Sequence, residues 1–414
     1  MAQVKSKYAK QSTLSTLDCD LAIVGGGIVG TTLACALRDS GLRVVLIEAQ
    51  TLEAAASRKQ AYALSILSSR IFAGLGVWDE ILPKVGQFRQ ISLSDADYSQ
   101  ILQFQCEELG TDALGYVGEH NVILTALQKR IAQCENIQWL CPAQVVGLDW
   151  EESQTIVRVE VEGEERQLRA KLVVGADGAR SRIRSLANLR ARGWKYWQSC
   201  VAFTIQHEAP RNDIAFERFW HSGPMGVLPL PGNRCQVVWT APHAEAKALH
   251  QLEETAFLAQ LEERTGGVLG PLQLVGDRAL FPVQLMQCDR YVRHRLAAIG
   301  DAAHCCHPVG GQGLNLGIRD AAAIAQVLQQ AYHQNEDIGQ LRVLKRYERW
   351  RKPENLAILG FTDLLDRTFS NNWFPVVVLR RFGMWMLHNI PLLKVYALQF
   401  MTGLRGRKPA IGNQ

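Results

Sequence analysis

The chain has 414 residues, 47% of them hydrophobic and 21% charged, with a formal charge of +5. That length admits two packed domains or one large composite, and the balance excludes a disordered or fibrous protein. Its ten cysteines are scattered without a repeating framework, which speaks against a disulfide scaffold; they read as reduced thiols of a cytoplasmic protein.

Residues 1–17 hold Lys5, Lys7 and Lys10 among Ser, Thr and Gln with no acidic residue, and are expected to be a flexible extension, with an organelle-targeting segment as the alternative. Cys19 to Val24 (CDLAIV) is a short apolar run, followed by a glycine cluster and then by TTLACALRDSG, whose apolar residues recur at helical spacing. RVVLIEA reads as a second buried strand ending at Glu48, which completes a strand, helix, strand unit.

Within that unit Gly25, Gly27 and Gly30 have the G-x-G-x-x-G spacing. Glycines so placed permit a tight turn, let the backbone approach a pyrophosphate, and let the helix pack on the strand while its N-terminus faces phosphate charge. Glu48, 18 residues after Gly30, is placed to accept hydrogen bonds from ribose hydroxyls. A carboxylate there repels the 2′-phosphate of NADP, so the nucleotide is FAD or NAD.

Helices are expected from about Ser57 to Trp78 and from about Asn121 to Gln133, and Trp139 to Val174 alternates as a meander returning to a buried strand. VVGADGARSRIR then delivers Asp177 to a turn followed by Arg180, Arg182 and Arg184; taken alone it would read as a surface turn with solvated arginines. Cys200 to Thr240 alternates strongly between Gly and Pro breaks, as in the antiparallel sheet of a second domain, and Thr255 to Glu263 reads as a helix.

RLAAIGDAAH is one more buried strand, with Asp301 at its end, and Gly310, Gly311 and Gly313 stand immediately before a long helix. Asp301 suits ribitol hydroxyls, and amides at the helix start suit negative charge on a reduced flavin ring. Three such places in this order are far more specific than any one. His304, Cys305, Cys306 and His307 are consecutive, which is poor geometry for one tetrahedral ion, and no metal is expected. Neither a G-x-S-x-G elbow nor an HExxH pair is present to support a hydrolase.

Everything after Asp366 lacks an acidic residue yet carries Arg367, Arg380, Arg381, Lys394, Arg405, Arg407 and Lys408. Trp373 to Leu404 is rich in Trp, Phe, Met and Leu but has no uninterrupted apolar run of the ~20 residues a spanning helix needs. Snorkelling cations among aromatic residues suit a helix on an anionic membrane surface or on a partner, the plain alternative being a helical cap on the core.

With these motifs, AYALSILSSRIFAGLGVW, VGEHNVILTAL, ERFWHSGPMGVLPL, QVVWT and above all HPVGGQGLNLGIRD, the chain resembles the FAD-dependent aromatic hydroxylases of the p-hydroxybenzoate hydroxylase fold, and within them the ubiquinone-biosynthesis hydroxylases, from Leu21 to about Pro409. The resemblance implies an α/β fold: a Rossmann-like FAD-binding domain over 18–90, 115–195 and 285–345, an inserted antiparallel-sheet substrate domain over 91–114 and 196–284, and a C-terminal helical region over 346–414. It implies that Gly25, Gly27, Gly30 and Glu48 hold the ADP half of FAD, that Asp177 lies in a motif tied to FAD and the pyridine nucleotide, that Asp301 binds ribitol, and that Gly311, Gln312, Gly313, Leu314 and Asn315 line the isoalloxazine. Glu119 and Val145 fall at flavin-neighbouring positions. The family often has Arg three residues before its Ala-Leu pair; here Gln60 stands there, and Arg58 is the nearest arginine for that contact.

The activity implied is that of a monooxygenase: NADPH or NADH reduces the flavin, O2 adds to form a flavin hydroperoxide, and its distal oxygen atom is transferred to the ring of a prenylated phenol or quinone precursor. The protein orients substrate and excludes water, so no catalytic acid or base is assigned. Two alternatives stand beside it, hydroxylation of a small soluble aromatic acid and a non-catalytic flavin-binding subunit of a biosynthetic complex. The location expected is the cytoplasm, with peripheral contact on the inner face of a membrane, and no nucleic acid is involved.

Overall fold

The computed structural model describes residues 17–95, 98 and 100–413. The extension expected over 1–17 therefore lies outside the described residues, apart from Leu17. Strand β1 (Leu17–Val24) sits between β2 (Val44–Ile47) and β11 (Glu164–Gly175), and β8 (Ile137–Leu140) and β18 (Leu296–Ala298) extend the row on either side, all parallel. All four residues of β2 are buried, as strands covered on both faces must be, which is why these segments read as continuous apolar runs. Strands β9 (Gln144–Trp150) and β10 (Thr155–Val161) form the expected meander into β11. Helix α1 (Ile28–Ala36) covers this sheet together with the long α8 (Gln312–His333), whose run Ala321, Ala322, Ala323 is small enough for close packing.

The second large sheet has the order β19 (His304–Cys305), β16 (Leu272–Cys288), β12 (Ala191–His207), β15 (Arg234–Pro242), β14 (Gly223–Leu230), β13 (Ile214–Trp220), β5 (Gln90–Asp95), β6 (Ile101–Gln105). Helices α6 (His243–Gln251) and α7 (Glu254–Thr265) cover its outer face around Phe257 and Trp239. A small sheet of β3 (Ala61–Ser65), β7 (Gly115–Glu119) and β4 (Gly86–Phe88) lies alongside, and α9 (Leu341–Phe369), α10 (Phe374–Asn389) and α11 (Pro391–Met401) close the chain.

Two expectations are corrected and one strand went unread. The helix expected over Ser57–Trp78 is interrupted: Ala61–Ser65 is β3, paired from Ala61↔Glu119 to Ser65↔Gly115, and the Ser65 side chain caps the helix α3 (Ile66–Gly74) that follows. Tertiary pairing there overrides helical spacing. The second sheet is not wholly antiparallel, since β5 runs parallel to β13; no hairpin joins the two, so no turn dictates their direction. Strand β16 has no counterpart in the sequence reading, because Val275 and Leu280 are exposed and blur the alternation. The helix expected from Asn121 is α4 (His120–Ile131), as its periodicity predicts.

Candidate active site

The turn after β1 divides its glycines by task. A Cβ on Gly30 would lie 1.9 Å from the Gly25 carbonyl oxygen, and Gly25 itself has φ +109°. These two are fixed by close backbone approach. A Cβ on Gly27 would meet nothing within 4 Å, so this residue faces open space at the start of α1, where a phosphate would approach. Glu48 is held in place from below: its Oε2 accepts from Gly26 N at 2.7 Å and its Oε1 from Gln50 N at 2.9 Å.

Asp177 is tied up locally. Its Oδ1 accepts from Ser181 Oγ at 2.5 Å and its Oδ2 from Ile183 N at 3.0 Å, so the carboxylate caps the short helix α5 (Arg182–Leu186). Arg184 of that helix donates to Ala302 O at 3.1 Å, joining this motif to the loop that carries Asp301. Arg180 and Arg182 are exposed.

Asp301 follows β18 and stays accessible to solvent, although burial in the surrounding protein raises its carboxyl pKa, with His304 acting in the opposite direction. The loop is anchored through Asp320 of α8, whose Oδ2 meets His304 Nε2 at 2.6 Å and Gly300 N at 3.1 Å, and whose Oδ1 meets Arg351 Nε at 2.8 Å and Asn355 Nδ2 at 3.0 Å. Burial alone would raise the Asp320 carboxyl, but His304 and Arg351 hold it well below the ordinary carboxylate range.

Gly310 and Gly311 both take left-handed φ angles, +68° and +60°, and turn the chain into α8. A Cβ on Gly311 would lie 2.8 Å from that of Ala63. Asn315 stitches this turn to β3: its Nδ2 donates to Ala63 O and Gly311 O, each at 2.8 Å, and its Oδ1 accepts from Ser65 N at 2.8 Å and Ser68 Oγ at 2.7 Å. Gln312 donates to Gly310 O and Met401 O, while its buried Oε1 has no partner among the described residues. Gly313 and Leu314 are partly accessible beside them.

Arg58 is exposed, and its charge reaches both Tyr62 and His120; Tyr62, whose phenol burial pushes up to about 12, also feels Asp301. Arg58, Tyr62 and Asp301 thus share one neighbourhood, while Gln60 accepts from the Tyr62 hydroxyl at 2.9 Å. Glu119 is paired with Arg234 at 3.1 Å and links the small sheet to β15. The Val145 side chain is buried in the first core, so only its backbone is left for a ligand.

Sequence reasoning did not single out Tyr62, His120, Asp320 or Arg351. For Asp320 a signal was present: Arg319 and Asp320 are both buried within the otherwise small and apolar stretch of α8. His304 sits on Asp320 and His307 Nδ1 accepts from Val309 N at 3.2 Å, so the two histidines serve separate loops.

An open glycine at a helix start, a backbone-oriented carboxylate ending the second strand, and a remote acidic residue beside a double-glycine turn fit an extended dinucleotide with a ring at the far end. The class these features define is a flavin-dependent oxidoreductase. The FAD binding domain family matches residues 18–362, and the chain belongs to it. It is 56% identical over 392 residues to the protein slr1300 of Synechocystis sp., covering 95% of both chains. It is 36% identical over 397 residues to the ubiquinone hydroxylase UbiL of Rhodospirillum rubrum, covering 93% of this chain and 90% of that one. The structure of p-nitrophenol 4-monooxygenase PnpA from Pseudomonas putida superposes with a TM-score of 0.80 at 19% identity, covering 95% of this chain and 99% of that one, a likeness of fold. The chain is therefore an FAD-binding monooxygenase-type enzyme of the p-hydroxybenzoate hydroxylase fold, related to the ubiquinone-biosynthesis hydroxylases.

Proposed function

We propose that this monooxygenase uses NADPH or NADH and O2 to hydroxylate the ring of a prenylated phenol or quinone precursor. The observation that carries the substrate class is the way α11 ends. Its face exposes Leu392 (82%) and Tyr396 (49%), and its last residue, Met401, accepts a hydrogen bond from Gln312 at the turn that would line the flavin ring. A helix with exposed apolar side chains is thus joined at its end to that turn, which favours a substrate with a hydrocarbon tail. The name of the Rhodospirillum relative supports the same chemistry.

In the bound state FAD would be held by Gly25, Gly27, Gly30, Glu48, Arg58 and Asp301, with Gly311 to Asn315 along its ring, and would supply the oxygen-transfer chemistry. Asp177 acts from one step away, by fixing α5 and through it the Asp301 loop. An aromatic acid is the weaker substrate: Glu217 of β13 presents a carboxyl toward Gly310 with no cation offsetting it among the described residues, and would repel a second carboxylate.

The tail's role also changes. Arg380 is buried on Asp95 at 2.7 Å, Lys394 pairs with Glu108, Arg367 pairs with Asp363 at 2.8 Å, and Arg405 and Arg407 lie over Tyr396 and Trp350. Arg380 and Lys394 are thereby engaged within the fold, whereas Arg367, Arg405 and Arg407 keep their charges at the surface. The same region exposes large apolar side chains, Trp373, Phe374, Leu379 and Leu392 each being more than 60% exposed, so bilayer contact would rest mainly on insertion of side chains. No helix among the described residues is long and apolar enough to cross a membrane.

The test is anaerobic NADPH addition to the purified yellow protein with and without a short-chain prenylphenol, followed by product mass after O2 is admitted. Faster bleaching with the phenol and a product heavier by one oxygen support the proposal. Flavin reduction indifferent to every phenol, with peroxide as the sole product, would overturn it.

A further inference from the structure

The inner face of the second sheet carries a carboxyl that the nucleotide cradle does not use. Along β13, Phe216 packs toward α6 and α7 and Arg218 donates to Thr265 O, so these residues face outward. Ala215 and Phe219 face the other way, in the cluster that includes Val309, Phe369 and Leu398. The two-residue period therefore turns Glu217 inward, toward the double-glycine turn, and the Gly310 N–H reaches its carboxylate.

The surroundings of Glu217 are small and apolar. Its cross-strand neighbour on β14 is Gly226, where a Cβ would sit 3.6 Å from Glu217 Oε2. Glu217, Gly226, Leu228, Val238 and Gly310 all keep partial access to solvent between the sheet and the turn. A carboxyl thus stands beside the turn where the flavin ring would lie, with a glycine opposite and aliphatic side chains around it.

We propose that Glu217 is a catalytic residue that receives the hydroxyl of a phenolic substrate and takes its proton. The carboxylate accepts the O–H hydrogen bond; the O–H bond breaks, its electron pair stays on oxygen and delocalises into the ring, and the proton becomes that of a carboxylic acid, from which solvent water removes it. A phenolate ring is the more electron-rich, hence the better acceptor of an electrophilic oxygen. This assignment rests on the hydroxylase reading.

Burial pushes the Glu217 carboxyl up to about 7, against the hydrogen bond from Gly310, which places this base near neutral pH, where proton transfer is most effective. The other ionisable groups on the packed elements are few. Cys200 of β12 lies within range of the Glu217 charge. His307 of the turn faces Asp366 of α9 at 3.5 Å, and Asp95 of β5 is neutralised by Arg380. Strands β14 and β15 contribute Gly226, Leu228 and Val238.

The test uses E217Q, whose amide oxygen still accepts the Gly310 N–H, so the fold and FAD content are retained. Binding of a short-chain prenylphenol to the FAD-loaded protein is measured by calorimetry between pH 5.5 and 8.5, beside the pH profile of kcat/KM. In the wild type, affinity rises roughly tenfold as pH climbs through about 7, because a charge-assisted hydrogen bond replaces a neutral one. E217Q flattens that rise and lowers kcat/KM at pH 8 by about 10²-fold. Wild type and E217Q with the same pH dependence of binding would overturn the assignment, whatever the product. Glu217-dependent binding without ring hydroxylation would count against the hydroxylase reading and leave the phenol-binding carboxyl standing.

Discussion

His304 Nε2 and Asp320 Oδ2 stand 2.6 Å apart with both side chains fully buried, and through this contact the loop bearing Asp301 is fastened to α8. Removing Asp320 leaves Arg351 and His304 without their carboxylate in the interior. D320A should therefore lose about 3–5 kcal/mol of stability, the usual cost of breaking a buried pair from one side. It should also release FAD, because the Asp301 loop loses its tether. Thermal unfolding and flavin retained after gel filtration check both; a variant that melts like the wild type and stays yellow would show that Asp320 is dispensable.

The first glycine turn makes a sharper prediction, because its members differ. G30A forces a Cβ to 1.9 Å from a backbone oxygen and should unfold the nucleotide unit. G27A meets no protein atom within 4 Å, so its FAD-free form should melt within about 0.5 kcal/mol of the wild type. FAD affinity should nonetheless fall at least about tenfold, because the methyl group would occupy the path proposed for the pyrophosphate. Equal FAD affinity in G27A and wild type would remove this turn from the binding site.

The contrast between those glycines shows what was legible beforehand. Spacing alone identified Gly25, Gly27 and Gly30, because the parallel strand and helix around them leave periodic traces in a short window. Their tasks of turn, phosphate approach and close packing follow from the same spacing, but that Gly25 is pressed against Ala176, distant in sequence, was not legible. Strand β3 was hidden for the same reason: AYALS becomes a strand by pairing with residues 115–119, and Asn315, 250 positions away, holds Ser65 N. Glu217 looked like one polar residue in an alternating strand; only the sheet's position over Gly310 distinguishes it from a solvated neighbour. The charge of the tail was readable and its use was not, because Asp95 and Glu108 lie far upstream of Arg380 and Lys394.

His307 supplies a pH prediction. Its side chain is wholly buried, Nδ1 accepts from Val309 N, and desolvation lowers its pKa from 6.5 to about 3. Between those values the unfolded chain binds a proton that the folded chain does not, so stability rises with pH. The contribution is complete above 6.5 and is lost as pH falls toward about 3, at roughly 1.4 kcal/mol per pH unit. H307Q should lack this slope, seen as a smaller loss of urea stability between pH 6.5 and 4.5 than in the wild type. Parallel curves for the two proteins would rule out His307 as the titrating group.

The apolar face of α10 and α11 decides between two kinds of membrane contact. If the tail worked by charge, binding would need anionic lipid and would fade with salt within a Debye length of about 10 Å at 0.1 M. Because Arg380 and Lys394 are engaged in ion pairs with Asp95 and Glu108 while Leu379 and Leu392 stay exposed, binding to neutral phosphatidylcholine vesicles should persist at 0.5 M salt. Leu379 and Leu392 are 65% and 82% exposed, and burying a leucine contributes roughly 1.5–3 kcal/mol. L379D/L392D should thus weaken vesicle flotation more than about tenfold while retaining FAD and turnover of a short-chain phenol in detergent-free buffer. Flotation with anionic vesicles alone, abolished by salt, would instead return the contact to charge, and wild type that floats with neither would confine this face to the protein itself.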